Sequence, residues 1–315
     1  MMCCVPVTSR VDWLLFLLLS FAWGSSYVLI KIGVGEGLQP FTLVTLRLMI
    51  GFLLLATVVL ALRVPLPRQA RMYGHLVVLG LFAVALPFFL ITWAAQFVDS
   101  ALTATLTAPV PLFVIPIAAL MLGDERITPN KVIGVTVGMV GVAILMGFDI
   151  AEVGRADLTP QLALLAAALC YAFAGVYARR HVHGLRPMIP SMFQVLFATL
   201  MSGVAALLFE QPIEQAAGLS LTAIFVVIWL GLLGSGLAYL LFYRLLGRWG
   251  PTRISLVAYM LPVWGIALGW LVLNEQIHEG LVLGTALVIG GIALVNNAHG
   301  GLWRRLGRAS LEQGR

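Results

Sequence analysis

Apolar runs of membrane-spanning length, separated by short polar breaks, recur along the whole chain. Ten can be marked, at approximately 12–34, 41–62, 74–97, 100–122, 131–148, 160–180, 188–209, 219–243, 252–273 and 280–298. A helix rising about 1.5 Å per residue crosses a hydrocarbon core with about 20 apolar residues. The pattern therefore predicts an all-α polytopic membrane protein with ten transmembrane helices. The breaks carry Gly, Pro and charge, as in Gly35-Glu36-Gly37, Pro65-Leu66-Pro67-Arg68 and Asp124-Glu125-Arg126. The longest runs from about Asp149 to Thr159, which leaves no room for a soluble domain.

Composition agrees with this reading and excludes others. Of 315 residues, 61% are hydrophobic and 10% charged, against roughly 25% charged in soluble domains. Mean hydropathy is +1.02. A soluble enzyme, a nucleic-acid binder and a disordered chain are excluded. The first apolar run has only Arg10 ahead of it as a basic residue and exceeds a signal peptide's apolar region, so it is expected to be a retained helix. Cys3, Cys4 and Cys170 give neither a disulfide framework nor a metal spacing.

The net charge of +6 is explained by orientation. With the N-terminus in the cytoplasm, 16 of the 19 basic residues fall on the cytoplasmic side. They are Arg10, Arg63, Arg68, Arg71, Arg126, Lys131, Arg179, Arg180, Arg186, Arg244, Arg248, Arg253, Arg304, Arg305, Arg308 and Arg315. Glu36, Asp99, Asp149, Glu152, Asp157, Glu210, Glu214, Glu275 and Glu279 fall outside. Ten spans with both ends inside thus satisfy the positive-inside rule. The expected location is the plasma (inner) membrane, multi-pass, with both termini cytoplasmic. The basic surplus calls for no nucleic-acid partner.

The halves match. A shift of 150 pairs Tyr27 with Tyr177, Pro40 with Pro190, Glu125 with Glu275, Gly134 with Gly284 and Gly141 with Gly291. A shift of 151 pairs Gly80 with Gly231 and Pro111 with Pro262. Two copies of five spans must be oppositely oriented, so residues 1–150 and 151–315 read as inverted five-helix repeats, the second ending in a short basic cytoplasmic tail. Transporters built this way hold their site near the midplane, between the repeats.

Chemistry-bearing residues are few. No GxxxxGK[ST] loop is present, so ATP is not the energy source, and no cofactor or metal is expected. All five histidines lie at segment ends or in loops. Gly234-Ser235-Gly236 is similar to an intramembrane serine protease motif, but Leu233 breaks that pattern and no buried His accompanies it. No carboxylate lies deep in a span, which argues against proton-driven export of cations and favours a neutral, zwitterionic or anionic solute. The embedded charges are Lys31 and Arg47. Lys31 can snorkel to the interface. Arg47, about two turns into its span, either anchors helix ends through Glu36 or Asp99 or draws a substrate anion.

Proline supplies the next signal, because it removes a backbone donor. The repeat-related pair Pro111 and Pro262 predicts helix breaks beside a site. Trp23, Ser25, Ser26, Tyr27, Trp93, Thr107, Tyr171, Gln194, Ser235, Tyr239 and Tyr259 place aromatic and polar groups within spans. Trp23, Tyr27, Arg47, Trp93, Tyr171, Tyr239 and Tyr259 are the candidate lining of an aromatic-walled cavity suited to an amphipathic small molecule. Interfacial belts and interhelical hydrogen bonds are the alternative uses of such residues. Gly134, Gly138 and Gly141, with Gly280, Gly284, Gly290 and Gly291, mark segments 5 and 10 as packing helices.

Four stretches resemble the drug/metabolite transporter superfamily, EamA type. They are Phe21-Ala22-Trp23-Gly24-Ser25-Ser26-Tyr27 followed by Lys31; Leu46-Arg47; Pro111 through Gly123-Asp124-Glu125; and Leu261-Pro262 through Asn274-Glu275, where Asn274 departs from the family's Gly. The resemblance covers residues 12–298. It implies a secondary transporter working by alternating access, with a central cavity lined from both halves. A small amphipathic metabolite, an amino acid or related carboxylate, is the expected export substrate. A membrane enzyme or receptor on such a scaffold is the alternative class. No convergent nucleophile, base or metal set supports the enzyme, and 17 residues follow Ala298.

Overall fold

The computed structural model describes residues 10–122, 128–147, 158–182, 184–249, 254 and 256–297. Cys3, Cys4, the Gly123-Asp124-Glu125 turn, residues 149–157, Ser255 and the basic tail lie outside the described residues, as does the side chain of Tyr243. The described residues form helices and connections, without strands. Seven helices are long and apolar enough to cross a membrane, and three shorter apolar helices bring the set to ten. They are α1 (Arg10–Gly35), α2 (Pro40–Ala61), α3 (Ala70–Ala94), α4 (Ser100–Leu122), α5 (Pro129–Leu145), α6 (Thr159–His181), α7 (Met188–Phe209), α8 (Leu221–Trp229 continuing through Leu230–Leu237 into Ala238–Trp249), α9 (Val257–Leu273) and α10 (Glu279–Asn297). A short helix, Pro212–Ala217, links α7 to α8.

Packing follows a two-fold pattern. α1 lies on α9 as α6 lies on α4, and α8 lies on α2 as α3 lies on α7. α2 meets α7, and α5 meets α10, across the centre of the pattern. Glycines set the closest approaches. A Cβ on Gly24 would stand 2.3 Å from Trp264 Cβ, so the glycine of the first-helix motif is what lets α9 press against α1. At the α5–α10 crossing, a Cβ on Gly134 would stand 2.7 Å from the Gly291 carbonyl, and one on Gly141 2.7 Å from that of Gly284. Gly280 and Gly290 take no part in that crossing.

The helix ends fall on two chemically different faces. Arg63, Arg68, Arg71, Arg179, Arg180, Arg186, Arg244 and Arg248 mark the face where α1 begins, here the basic face. Carboxylates on the opposite, acidic face cap helix N-termini, where free N–H groups and the macrodipole favour negative charge. Glu210 accepts from Phe41 N, Thr42 N and Thr42 Oγ1 at 2.8, 2.7 and 2.6 Å, closing the start of α2. Glu275 accepts from Ser100 N, Ser100 Oγ and Ala101 N at 2.7, 2.9 and 3.1 Å, closing the start of α4. Glu36 accepts from Ser220 Oγ at 2.5 Å, while Ser220 caps α8 by accepting from Ala223 N.

Asn274 stands where the family pattern has Gly, and its φ of 53° is left-handed. Asn tolerates that region better than other side chains. The turn survives and aims Glu275 at α4. On the basic face, Arg248 on α8 pairs with the buried Asp12 on α1.

Two helices widen into π-helical turns at corresponding places. In α3 the stretch is Leu81–Ala85, ahead of Pro87; in α8 it is Leu230–Leu237, over the run Gly231 to Gly236. Pro87 cannot donate to the carbonyl four residues back, and the wider turn absorbs that loss.

The prolines chosen as break markers behave differently. α4 is interrupted at residues 108–109, and its second half opens at Val110 with Pro111 in the first turn. The missing N–H is unpaired there in any helix. Pro262 lies inside a continuous α9. A break therefore stands beside Pro111, and none stands at Pro262.

Candidate functional site

A cavity of about 500 Å³ lies between the two five-helix sets. α1, α2, α3, α4, α6, α7, α8 and α9 line it; α5 and α10 do not. It reaches Ala178, Pro190 and Ile254 toward the basic face and Ile30 and Ile91 toward the acidic face.

Of the sequence candidates, Trp23, Tyr27, Arg47, Tyr171, Tyr239 and Pro111 line this cavity. Trp93, Tyr259 and Pro262 are not among its lining residues. Trp93 lies near the acidic-face end of α3, its ring 5.1 Å from Phe97, in keeping with the interfacial alternative. Tyr259 is packed against the main apolar core, and Pro262 is buried within α9. Helical spacing puts a residue on a face, but which face meets the cavity is set by neighbouring helices.

Arg47 is the one charged residue in the described lining, and it is 3% exposed. Its Nε donates to Ser235 Oγ over a long 3.4 Å, and its guanidinium carbon stands 4.4 Å above the Phe88 ring. No carboxylate pairs with it among the described residues. The anchoring role through Glu36 does not hold, since that carboxylate serves Ser220. A guanidinium has five N–H donors. Four have no protein partner among the described residues, and they are open to the cavity, where an anion can reach them.

Lys31 is different. Its Nζ donates to the Val98 carbonyl at 2.6 Å, just beyond the end of α3. It is a tie between helix ends at the acidic face and is not part of the cavity wall.

The remaining polar groups divide between scaffold and wall. Trp229 Nε1 donates to Ser25 Oγ at 3.2 Å, and Trp264 Nε1 donates to Ser20 Oγ at 3.1 Å, tying α8 and α9 to α1. Trp23 Nε1 donates to the Gly234 carbonyl at 3.2 Å, within the widened stretch of α8. Tyr27 and Thr107 hydroxyls share a hydrogen bond of 2.8 Å. Phe88, Phe242, Ser26, Thr107 and Gln194 complete the functional lining. Phe88 and Phe242 carried no sequence signal, being apolar residues in apolar spans. Gln194 had one: an amide in mid-span.

Comparison with known proteins places this architecture. The model of the EamA-like transporter family matches twice, at residues 12–147 and 158–297. The uncharacterized transporter YoaV of Bacillus subtilis (strain 168) is 26% identical over 270 residues, 86% of this chain and 91% of its own. A probable amino-acid metabolite efflux pump of Escherichia coli (strain K12) is 25% identical over 303 residues, 94% of this chain and 98% of its own. One solved crystal structure covers 91% of this chain and 98% of its own with a TM-score of 0.64 at 23% identity, a likeness of fold. With the family model matched over both halves of the chain, the protein is a multi-pass membrane transporter rather than an enzyme, and it belongs to the EamA-like transporter family.

Proposed function

We propose that the protein exports a small amphipathic metabolite, an amino acid or related carboxylate, by alternating access. The anionic group meets Arg47, and the apolar body lies against Trp23, Tyr27, Phe88, Tyr171 and Tyr239. The halves, residues 1–150 and 151–315, move against each other to expose the cavity to either face. The basic face is cytoplasmic, in the plasma membrane, by the positive-inside rule.

The observation that carries this reading is the condition of Arg47: buried, in the cavity wall, with four donors uncommitted and no carboxylate partner among the described residues. A bidentate guanidinium–carboxylate contact satisfies both charge and geometry. The lining extends toward both faces, to Ala178, Pro190 and Ile254 on the basic side and to Ile30 and Ile91 on the acidic side, as a cavity served from either face requires. The naming of the Escherichia coli relative as a probable amino-acid metabolite efflux pump agrees with the substrate class.

The test is substrate uptake into inside-out vesicles and counterflow in proteoliposomes, with a panel of amino acids, organic acids and nucleosides. Arg47→Ala is expected to abolish transport of the carboxylates while the purified variant remains monodisperse. Undiminished transport by that variant would remove Arg47 from the mechanism.

A further inference from the structure

The two-fold pattern assigns Arg47 a counterpart. Gly231 of α8 crosses α2 so closely that its Cβ would stand 2.6 Å from Ile50 Cβ and 2.9 Å from the Arg47 carbonyl. Gly80 of α3 crosses α7 in the same manner, 2.8 Å from Phe197 Cβ and 3.1 Å from the Gln194 carbonyl. Gly80 and Gly231 are repeat-equivalent, and residues 47 and 50 stand to one as 194 and 197 stand to the other. Gln194 therefore occupies in α7 the place of Arg47 in α2. Helix starts agree to within one residue: Arg47 lies eight residues after Gln39, the N-cap of α2, and Gln194 seven after Pro187, the N-cap of α7.

Gln194 is also in the condition of a binding residue. It is 7% exposed, it lines the cavity, and its side-chain amide makes no hydrogen bond with the protein among the described residues. The amide is open to the cavity, where a hydrogen-bonding group of a ligand can reach it.

The spacing of the two groups sets the ligand's shape. α2 and α7 are antiparallel, and Gly203 lies beside Thr45, a Cβ there standing 3.5 Å from Thr45 Cγ2. From that level Arg47 lies two residues, and Gln194 nine residues, toward the basic face. The seven-residue difference puts the two positions about 10 Å apart along the helix axes. That backbone spacing favours a ligand whose two polar groups are separated along its length. The rings of Trp23, Tyr171 and Tyr239 line the same cavity.

We infer that the cavity recognises an elongated amphipathic carboxylate: its anionic end meets Arg47, and a hydrogen-bonding group at its far end meets Gln194. This rests on the anion reading of Arg47 given above and adds a length and a second polar point to it. The chemical class is an ω-functionalised carboxylate, with an amine, amide or hydroxyl about eight bonds from the carboxyl group.

Two isomers test it, because they carry the same groups at different separations: 8-aminooctanoate and 2-aminooctanoate. Binding of each to the purified full-length protein in detergent is measured by titration calorimetry. The wild type is expected to prefer the 8-amino isomer by roughly tenfold or more, the worth of a hydrogen bond to a charged group in a buried site. Gln194→Leu is expected to erase that preference, and a monodisperse elution peak and an unchanged circular-dichroism spectrum show that the variant is folded. Gln194→Glu, which keeps the acceptor and adds charge, restores it. Equal binding of the isomers by the wild type, or a preference that survives Gln194→Leu, overturns the inference. Arg47→Gln is the separate arm: it is expected to weaken both isomers. If it weakens neither, the anion reading fails, while the isomer preference still decides the role of Gln194.

Discussion

The α5–α10 crossing gives a prediction whose sign can be worked from distances. A methyl group on Gly134 would stand 2.7 Å from the Gly291 carbonyl oxygen, 2.8 Å from Val295 Cγ2 and 2.9 Å from Val295 N. Two of those atoms are backbone and cannot rotate away. Ordinary contact begins near 3.4 Å, so Gly134→Ala must part the helices by about 0.7 Å, an overpacking worth about 1–3 kcal/mol. Gly290 lies on α10 with nothing within 4 Å of its would-be Cβ. Gly290→Ala should gain up to about 1 kcal/mol of helix propensity. The assay is thermal unfolding in detergent, followed by tryptophan fluorescence and by recovery of the monodisperse peak. Gly134→Ala should lower the midpoint by several degrees, and Gly290→Ala should not lower it. Substrate affinity should be unchanged in both, because neither helix lines the cavity. A Gly134→Ala midpoint equal to wild type would refute the packing argument. Altered affinity in either variant would refute the division between packing helices and cavity helices.

Other substitutions probe the scaffold around the site. Glu275→Ala removes three hydrogen bonds from the start of α4 and should cost about 1–2 kcal/mol, read as a lower unfolding midpoint. At the left-handed Asn274, Asn274→Val should destabilise by about 1–2 kcal/mol while Asn274→Gly is neutral or stabilising; similar midpoints for the two would contradict the assigned turn. Gly24→Ala drives a methyl into Trp264 and should lower both the midpoint and the transport rate, since Trp23 and Tyr27 flank it on α1; an effect on the midpoint alone would separate packing from site geometry.

Several features of the site were legible because one property sufficed to mark them. Arg47 was visible as a charge in an apolar span, and Trp23 and Tyr27 as aromatic residues in the first-helix motif. Trp93 and Tyr259 had the same chemistry but face elsewhere, because the rotation of a helix about its axis is fixed by its neighbours. The repeat register shows the same limit. The Gly80–Gly231 match corresponds to a shared packing role, while the Pro40–Pro190 match does not: α7 is capped by Pro187, and the crossing contacts give an offset of 147 between α2 and α7. Identical residues align by chance in a chain this rich in few residue types, whereas backbone contact cannot be shifted by three residues without a clash.

The sequence by itself determined the number of spans and the separation of basic from acidic helix ends. Both follow from a solvent with fixed thickness and no tolerance for free charge, which acts on each segment independently. The opposed five-helix halves follow from the same count. Only the tertiary structure decided which residues share the cavity, that Glu210 and Glu275 close the N-termini of α2 and α4, and that Gln194 is the counterpart of Arg47. Those outcomes depend on distances between helices, and glycine contacts at the crossings set these distances; no segment carries that information alone.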